Sequence, residues 1–196
     1  MGSLTNASKI SRTIQSTKHI PVAPDTISTY LEYLTDSFLF SKADRYDVKG
    51  KKYFEYPSKY YCTDIGLRNV RLGLRQQEET HIMENIIYNE LQVRGYLTDV
   101  GVVTVSGKNQ EGKAERKNCE IDFIARKGNL QYYIQSAYRM DDPEKSRTEL
   151  RPLIAVRDSF KKIVISQTGG KSWYDDNGIL RIGLLDFLLD DKSLDR

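Results

Sequence analysis

The sequence predicts a mixed α/β (α+β) protein: a small winged-helix module followed by a sandwich with a central mixed sheet flanked by helices. Three observations carry this. Apolar residues recur at helical spacing in the first third and again near the middle. Short runs rich in Val, Ile, Tyr and Phe, separated by Gly-containing and charged turns, occupy the second half. A composition of 39% hydrophobic and 29% charged residues over 196 positions is that of a globular chain with a real core.

The elements follow in order. "LTNASKISRTIQST" (4–17) reads as a helix, and "KHIPVAPD" as a turn. Asp25 then caps a second helix, in which Ile27, Tyr30, Leu31 and Leu34 fall at i, i+3, i+4 and i+7, the stripe of a helix buried on one side. "FLFSKADRYDVKGKKYFEYPSKYYCTD" alternates aromatic and polar residues and breaks at Lys49-Gly50-Lys51-Lys52, which predicts a hairpin with a basic tip. Helix, turn, helix and hairpin make up a winged-helix pattern over 4–77. After a loop around "GLRQQEET", a helix over 78–94 places Met83, Ile86, Ile87 and Leu91 on one face and ends at Gly95. "YLTDVGVVTV", "NCEIDFIA" and "LQYYIQSAY" predict a strand meander. A helix led by Pro143 follows, which Pro152 should kink or split. "FKKIVIS" predicts a strand, and "GILRIGLLDFLL" a strand running into a terminal helix, so that residues 78–196 form the sandwich.

Charge divides unevenly. Residues 1–77 hold 12 Lys/Arg against 7 Asp/Glu, and residues 78–196 hold 18 against 20. The basic first third points to a polyanion. In a winged helix the second helix enters the major groove of duplex DNA while hairpin lysines meet phosphates, a role that suits Lys49, Lys51 and Lys52. The second helix offers Thr26, Ser28, Thr29 and Glu32 but no Arg or Lys to read guanine, so sequence-specific readout is not expected. Packing of the module against a neighbouring domain or protein partner is the alternative.

Two cysteines, Cys62 and Cys119, and two histidines, His19 and His81, make neither a disulfide framework nor a zinc set, and both thiols are expected to be buried. No eighteen-residue apolar run and no leader pattern is present, so a cytoplasmic protein without a membrane partner is expected. The segment Gly169-Gly170-Lys171-Ser172 imitates part of a phosphate-binding loop. Ile165 stands where its first glycine belongs, and "WYDDNGIL" is turn-like rather than helical, so no ATPase site is expected in this chain.

The acidic pattern bears on chemistry. Alternation in "EIDFIA" places Glu120, Asp122 and Ile124 on one face and Cys119, Ile121 and Phe123 on the other, core, face. Tyr133, Gln135 and Ala137 share a face of the next strand. Asp122 with a carboxylate at position 135 would hold Mg²⁺ against a scissile phosphate, and a lysine at 137 would orient the attacking water. Glu84 on the preceding helix can lean over the same edge.

"HIMENIIYNELQVRGY", "EIDFIA" and "YYIQSAY" resemble the helix Glu, strand Asp and strand Glu-x-Lys of the PD-(D/E)XK nuclease superfamily. Taken whole, from about residue 5 to 190, the chain is similar to the C-terminal region of prokaryotic AAA-superfamily ATPases, in which a winged helix and a restriction-endonuclease-like domain follow the ATPase core. The resemblance implies Glu84, Asp122 and Gln135 as a catalytic-type site, with Asp122 as metal ligand only if the site is active. It departs from the superfamily in Gln135 for the acid and Ala137 for the lysine. Losing a charge-stabilising donor costs about 10²–10³ in rate, and an amide weakens a hard-cation site. A degenerate nuclease fold is therefore expected, with an active Mg-dependent DNA endonuclease as the alternative. Lys127, Arg139 and Lys113 are the cations considered as substitutes. Met1-Gly2-Ser3 resembles residues added in cloning, so the ATP-binding domain is expected upstream in a longer protein.

Overall fold

The computed structural model describes residues 2–74, 78–108, 113–140 and 143–196. Its centre is one mixed eight-stranded sheet in the order β2-β1-β3-β4-β5-β6-β8-β7, with helices on both faces. The α/β class and the helix-flanked mixed sheet read from the sequence are observed.

Helix α1 (Ala7–Lys18) starts where Asn6 accepts a hydrogen bond from the Lys9 N–H at 2.8 Å. Helix α2 (Pro24–Asp36) begins with Pro24 in its first turn, so Asp25 lies inside the helix instead of capping it. Ile27 is buried, but Tyr30 is 58% exposed, so the expected stripe is narrower than its spacing implies. Strands β1 (Phe40–Asp47) and β2 (Lys52–Cys62) form the expected hairpin. Asp47 closes its tip by accepting from the N–H groups of Lys49 and Gly50, and Lys51 completes the turn at φ 51°.

This hairpin is the outer ribbon of the main sheet. β1 pairs in parallel with β3 (Leu97–Lys108), from Arg45 opposite Val100 to Asp47 opposite Val102. Arg126 strengthens the junction: it donates to Asp99 at 2.8 Å and to the Tyr53 hydroxyl at 2.9 Å, and its guanidinium lies over the Tyr46 ring. The boundary expected at 77/78 adjoins residues 75–77, which lie outside the described residues, and the sheet runs across it. A short helix α3 (Ile65–Arg71), capped by Asp64, lies between the hairpin and the "GLRQQEET" loop, where no element is expected from the sequence.

Helix α4 (Glu79–Val93) ends as expected, with Gly95 at φ 80° and the Tyr96 N–H returned to the Leu91 carbonyl. Strands β3, β4 (Ala114–Lys127) and β5 (Leu130–Ala137) form the meander. Helix α5 (Pro143–Ala155) crosses over to β6 (Lys161–Ser166), which lies parallel to β5. Pro152 does not split this helix. It stands in the last turn, where few intrahelical bonds remain to be lost. The Gly169–Ser172 segment joins β6 to a two-residue strand β7 (Trp173–Tyr174), unexpected from "WYDDNGIL", which pairs with β8 (Leu180–Gly183). No phosphate-loop helix follows it. Helix α6 (Leu184–Leu189) follows β8 directly.

Two cores sandwich the sheet. On one face α4 and α6 bury Met83, Ile87, Tyr88, Leu91 and Phe187 against Phe123, Ala125 and Ile134; on the other, Leu150, Leu153 and Val156 beside α5 cover Ile121, Ile124, Tyr133 and Ala137. Ile121 and Ile124 share a face although three residues separate them, because β4 spends three steps between Ile121 and Ile124 while β3 spends two between Gly101 and Asp99. This bulge corrects the simple alternation read from "EIDFIA": Ile124 does not lie with Asp122. Gly101 is its complement, since a Cβ there would stand 2.9 Å from that of Ile121.

Candidate functional site

Strands β4 and β5 are hydrogen-bonded only from Phe123–Ile134 to Lys127–Leu130, and beyond that they diverge. Residues 135–137 remain paired to β6 on one side alone. Asp122 sits at the crotch of the fork, on the residue before the last pair. Its Oδ2 accepts the Ser136 N–H at 2.9 Å, so a side chain bridges the strands where the backbone ladder stops. The Gln135 carbonyl oxygen faces the Asp122 N–H at 3.4 Å, and its amide group donates to Glu149 of α5 at 3.2 Å.

The structure thus brings Glu84, Asp122 and Gln135 to one cleft of about 180 Å³, together with His81, Arg139 and Glu149. Glu84 and Gln135 approach from opposite faces of the sheet, from the α4 and α5 sides. Ala137 lines the same cleft and belongs to the α5-side core, so the position expected for a lysine carries only a methyl group.

A cation is nevertheless present. Lys59 of β2 is 3% exposed, and its Nζ donates to Glu84 Oε1 at 2.9 Å and lies 3.4 Å from Asp122 Oδ1 and 3.5 Å from Glu120 Oε2. The substitutes considered from the sequence are not this residue. Lys127 donates to the Arg94 carbonyl, Lys113 is exposed, and Arg139 reaches the cleft wall. Lys59 is aimed inward by an irregularity in the hairpin: β1 advances two residues from Ala43 to Arg45 while β2 spends five from Phe54 to Lys59. Pro57 lies within that excursion. A sequence signal existed, because a lysine placed just before Tyr60-Tyr61-Cys62 in a strand must be snorkelling or paired. Only the fold selects which.

Tyr61, fully buried, donates to the same Glu84 oxygen at 2.7 Å and stacks on Tyr88. One helical step on, Asn85 reads the end of β2 as another strand would: its Oδ1 accepts from the Cys62 N–H and its Nδ2 donates to the Cys62 carbonyl, both at 2.8 Å. Cys62 is buried as expected, whereas Cys119 is only half-buried; both are free.

Electrostatics follow from three carboxylates facing one ammonium. Burial alone would lower the Lys59 pKa, but the charges of Asp122 and Glu84 outweigh it and hold the lysine protonated well above its ordinary range. Glu84 is pushed up to about 7, first by burial and then by the Asp122 charge; Lys59 and the Tyr61 hydroxyl pull the other way and only partly compensate. A carboxyl raised in the folded state stabilises the fold fully below its unfolded value near 4.5, and that contribution is lost as pH rises through about 7. Lys59 titrates far above this window and adds no slope within it. Urea midpoints measured from pH 4.5 to 7.5 are therefore expected to carry a downward component that the Glu84→Gln variant lacks; identical pH profiles for the two proteins would refute the upward shift of the Glu84 carboxyl.

The Mg²⁺ implied by the nuclease resemblance does not fit this donor set. Glu84 Oε1 is shared by Lys59 and Tyr61, Asp122 Oδ2 by the Ser136 N–H, and Asp122 Oδ1 by Lys59. The carboxylate at 135 that would join them is an amide engaged with Glu149. Among the described residues no three His, Cys, Asp or Glu side chains converge on one ion.

The basic tip is also partly engaged. Lys49 folds back so that its Nζ donates to the Thr104 carbonyl of β3 at 2.9 Å, while Lys51 and Lys52 are exposed. Among the described residues no helix is long and apolar enough to cross a membrane.

Residues 1–78 match the family described as a domain of unknown function, DUF8612. Nearly the whole chain is similar to an uncharacterized protein of Haemophilus influenzae, 39% identical over 192 residues, which are 96% of this chain and 43% of that protein. The uncharacterized protein MJ1544 of Methanocaldococcus jannaschii is 28% identical over 173 residues, 88% of this chain and 34% of the relative. The chain spans less than half the length of these relatives. No solved structure matches.

Proposed function

We propose that this chain is the C-terminal, non-ATPase portion of a cytoplasmic AAA-superfamily ATPase and serves as a duplex-DNA-binding or partner-binding module whose nuclease-like site is kept for structure. The observation that carries the reading is the internal closure of that site. Lys59, Glu84 Oε1, both Asp122 oxygens and Gln135 are engaged with one another, with Tyr61 and Glu149 and with neighbouring backbone, tying hairpin, helix α4 and the β4/β5 fork together. Such a network holds elements in register and leaves few lone pairs for a hydrated metal and a phosphodiester. The H. influenzae relative extends well beyond the matched region, which leaves room in that protein for an ATP-binding domain.

Lys49, Lys51 and Lys52 are the proposed backbone-phosphate contacts of the hairpin. Changing all three to Glu is expected to weaken binding to a DNA duplex and flatten its salt dependence, and unchanged binding would remove these residues from the reading.

A second reading, an active Mg-dependent DNA endonuclease, is favoured by one specific finding, the Lys59 ammonium beside Glu84 and Asp122, which supplies the cation that Ala137 lacks. Supercoiled plasmid incubated with the protein and Mg²⁺ or Mn²⁺ separates the two. The binding reading expects no nicking above that of the Asp122→Ala variant. Metal-dependent nicking that the variant loses would establish the enzyme instead.

A further inference from the structure

A groove of about 580 Å³ lies between the hairpin tip, the free edge of β3 and helix α5. It forms because β1 pairs with β3 only as far as Val102 and then turns away, leaving Thr104, Val105 and Ser106 without a strand on that side. Four of its lining side chains are cationic: Lys49 from the hairpin, Arg147 and Arg151 one helical turn apart on α5, and Arg157 just beyond the helix. Among the described residues no Asp or Glu lines it. Arg147, Arg151 and Arg157 are exposed, and none has an ion pair or hydrogen bond among the described residues.

Arg94, Arg126 and Arg181, whose side chains are mostly buried, each meet a carboxylate, whereas the three groove arginines stand in solvent without one among the described residues. A single-sign groove with low-dielectric walls, provided by Val105, Ile154 and Ala155, concentrates positive potential and counter-ions. Among the described residues the lining contains no aromatic ring on which an unpaired base could stack and no Asn or Gln to read a base edge. Its chemistry matches the repeated charge of a phosphodiester backbone.

We propose that this groove is a sequence-independent binding site for the backbone of duplex DNA, with Arg147, Arg151 and Arg157 as phosphate contacts and Lys49 joining it to the hairpin tip. The inference rests on the nucleic-acid-binding reading above and adds to it a second contact surface, on α5, that lies outside the DUF8612-matched residues. A single duplex could then touch both the hairpin and the sandwich, and the two parts of the chain would bind it together.

Fluorescence anisotropy of a labelled random-sequence DNA duplex, titrated over a range of salt, tests this on the whole chain. The triple variant R147Q/R151Q/R157Q is expected to bind about tenfold or more weakly at low salt, with a log–log salt slope smaller by about 2 to 3, since each neutralised phosphate contributes about 0.9. R147K/R151K/R157K should retain the slope, and both variants should melt like the parent because the three side chains are exposed. If the parent binds duplex and the Gln variant binds equally well while K51E/K52E does not, the groove is excluded and the hairpin reading stands. Binding stronger to a single strand and indifferent to the three arginines would likewise exclude it. A parent chain that binds no duplex at low salt overturns both.

Discussion

Replacing Lys59 with Met is expected to destabilise the protein by about 3–5 kcal/mol, because it leaves Glu84, Asp122 and Glu120 facing one another in a buried cleft without their common cation. Against a total stability of about 5–15 kcal/mol for an ordinary domain, that is a large fraction. The loss has a signature that simple cavity formation lacks. Without the ammonium the carboxyls bind protons more tightly, so acidification should recover part of the lost stability, and the double variant K59M/E84Q should be more stable than K59M alone. Urea unfolding at pH 5 and pH 7.5 measures all three effects. A change of less than about 1 kcal/mol, or a deficit independent of pH, would mean that the ion network does not hold the hairpin in place.

Asn85 provides the second large effect. Its side chain is fully buried and makes both backbone hydrogen bonds to Cys62. In the Asn85→Ala variant the Cys62 N–H loses its side-chain acceptor inside the protein, while its carbonyl keeps the Asn89 amide at 3.1 Å. The expected cost is about 2–4 kcal/mol, from an orphaned donor together with a small cavity. The effect should be local in hydrogen exchange: amides of β2 speed up first, while those of β5 and β6, distant from β2 in the sheet and packed on both faces, keep their protection. Uniform acceleration across the sheet would show instead that Asn85 supports the whole fold and not the hairpin junction.

Both variants act on the same joint, in which the acidic cluster is tied to the hairpin and to α4. The hairpin contributes Lys59 and Tyr61 to Glu84, and α4 answers with Asn85 on Cys62. Removing a charge at Asp122 for an activity assay will therefore also disturb this joint, and a stability measurement belongs beside every activity measurement on the site.

The order of elements was legible in the chain because each rests on local physics: the 3.6-residue stripe of α4, the Gly95 terminus, the Val/Ile/Tyr runs of β3 to β6 and the Lys-Gly-Lys tip of the hairpin. Glu84, Asp122 and Gln135 could be singled out because their residue types and strand or helix positions are local facts too. Three things were decided only in three dimensions. The β4 bulge reversed the face of Ile124, and nothing in "EIDFIA" announces a register shift that depends on Gly101 in a neighbouring strand. The hairpin joined the main sheet through a parallel pairing between residues more than fifty positions apart, a contact with no local signature. Lys59 reached the acidic fork across 63 residues of sequence, so the cation that seemed to be missing came from the part of the chain assigned to a different task. Periodicity fixes which face a side chain takes within one element, whereas the partner it meets there depends on how distant elements pack, and a buried charge is neutralised by whatever residue that packing brings within reach.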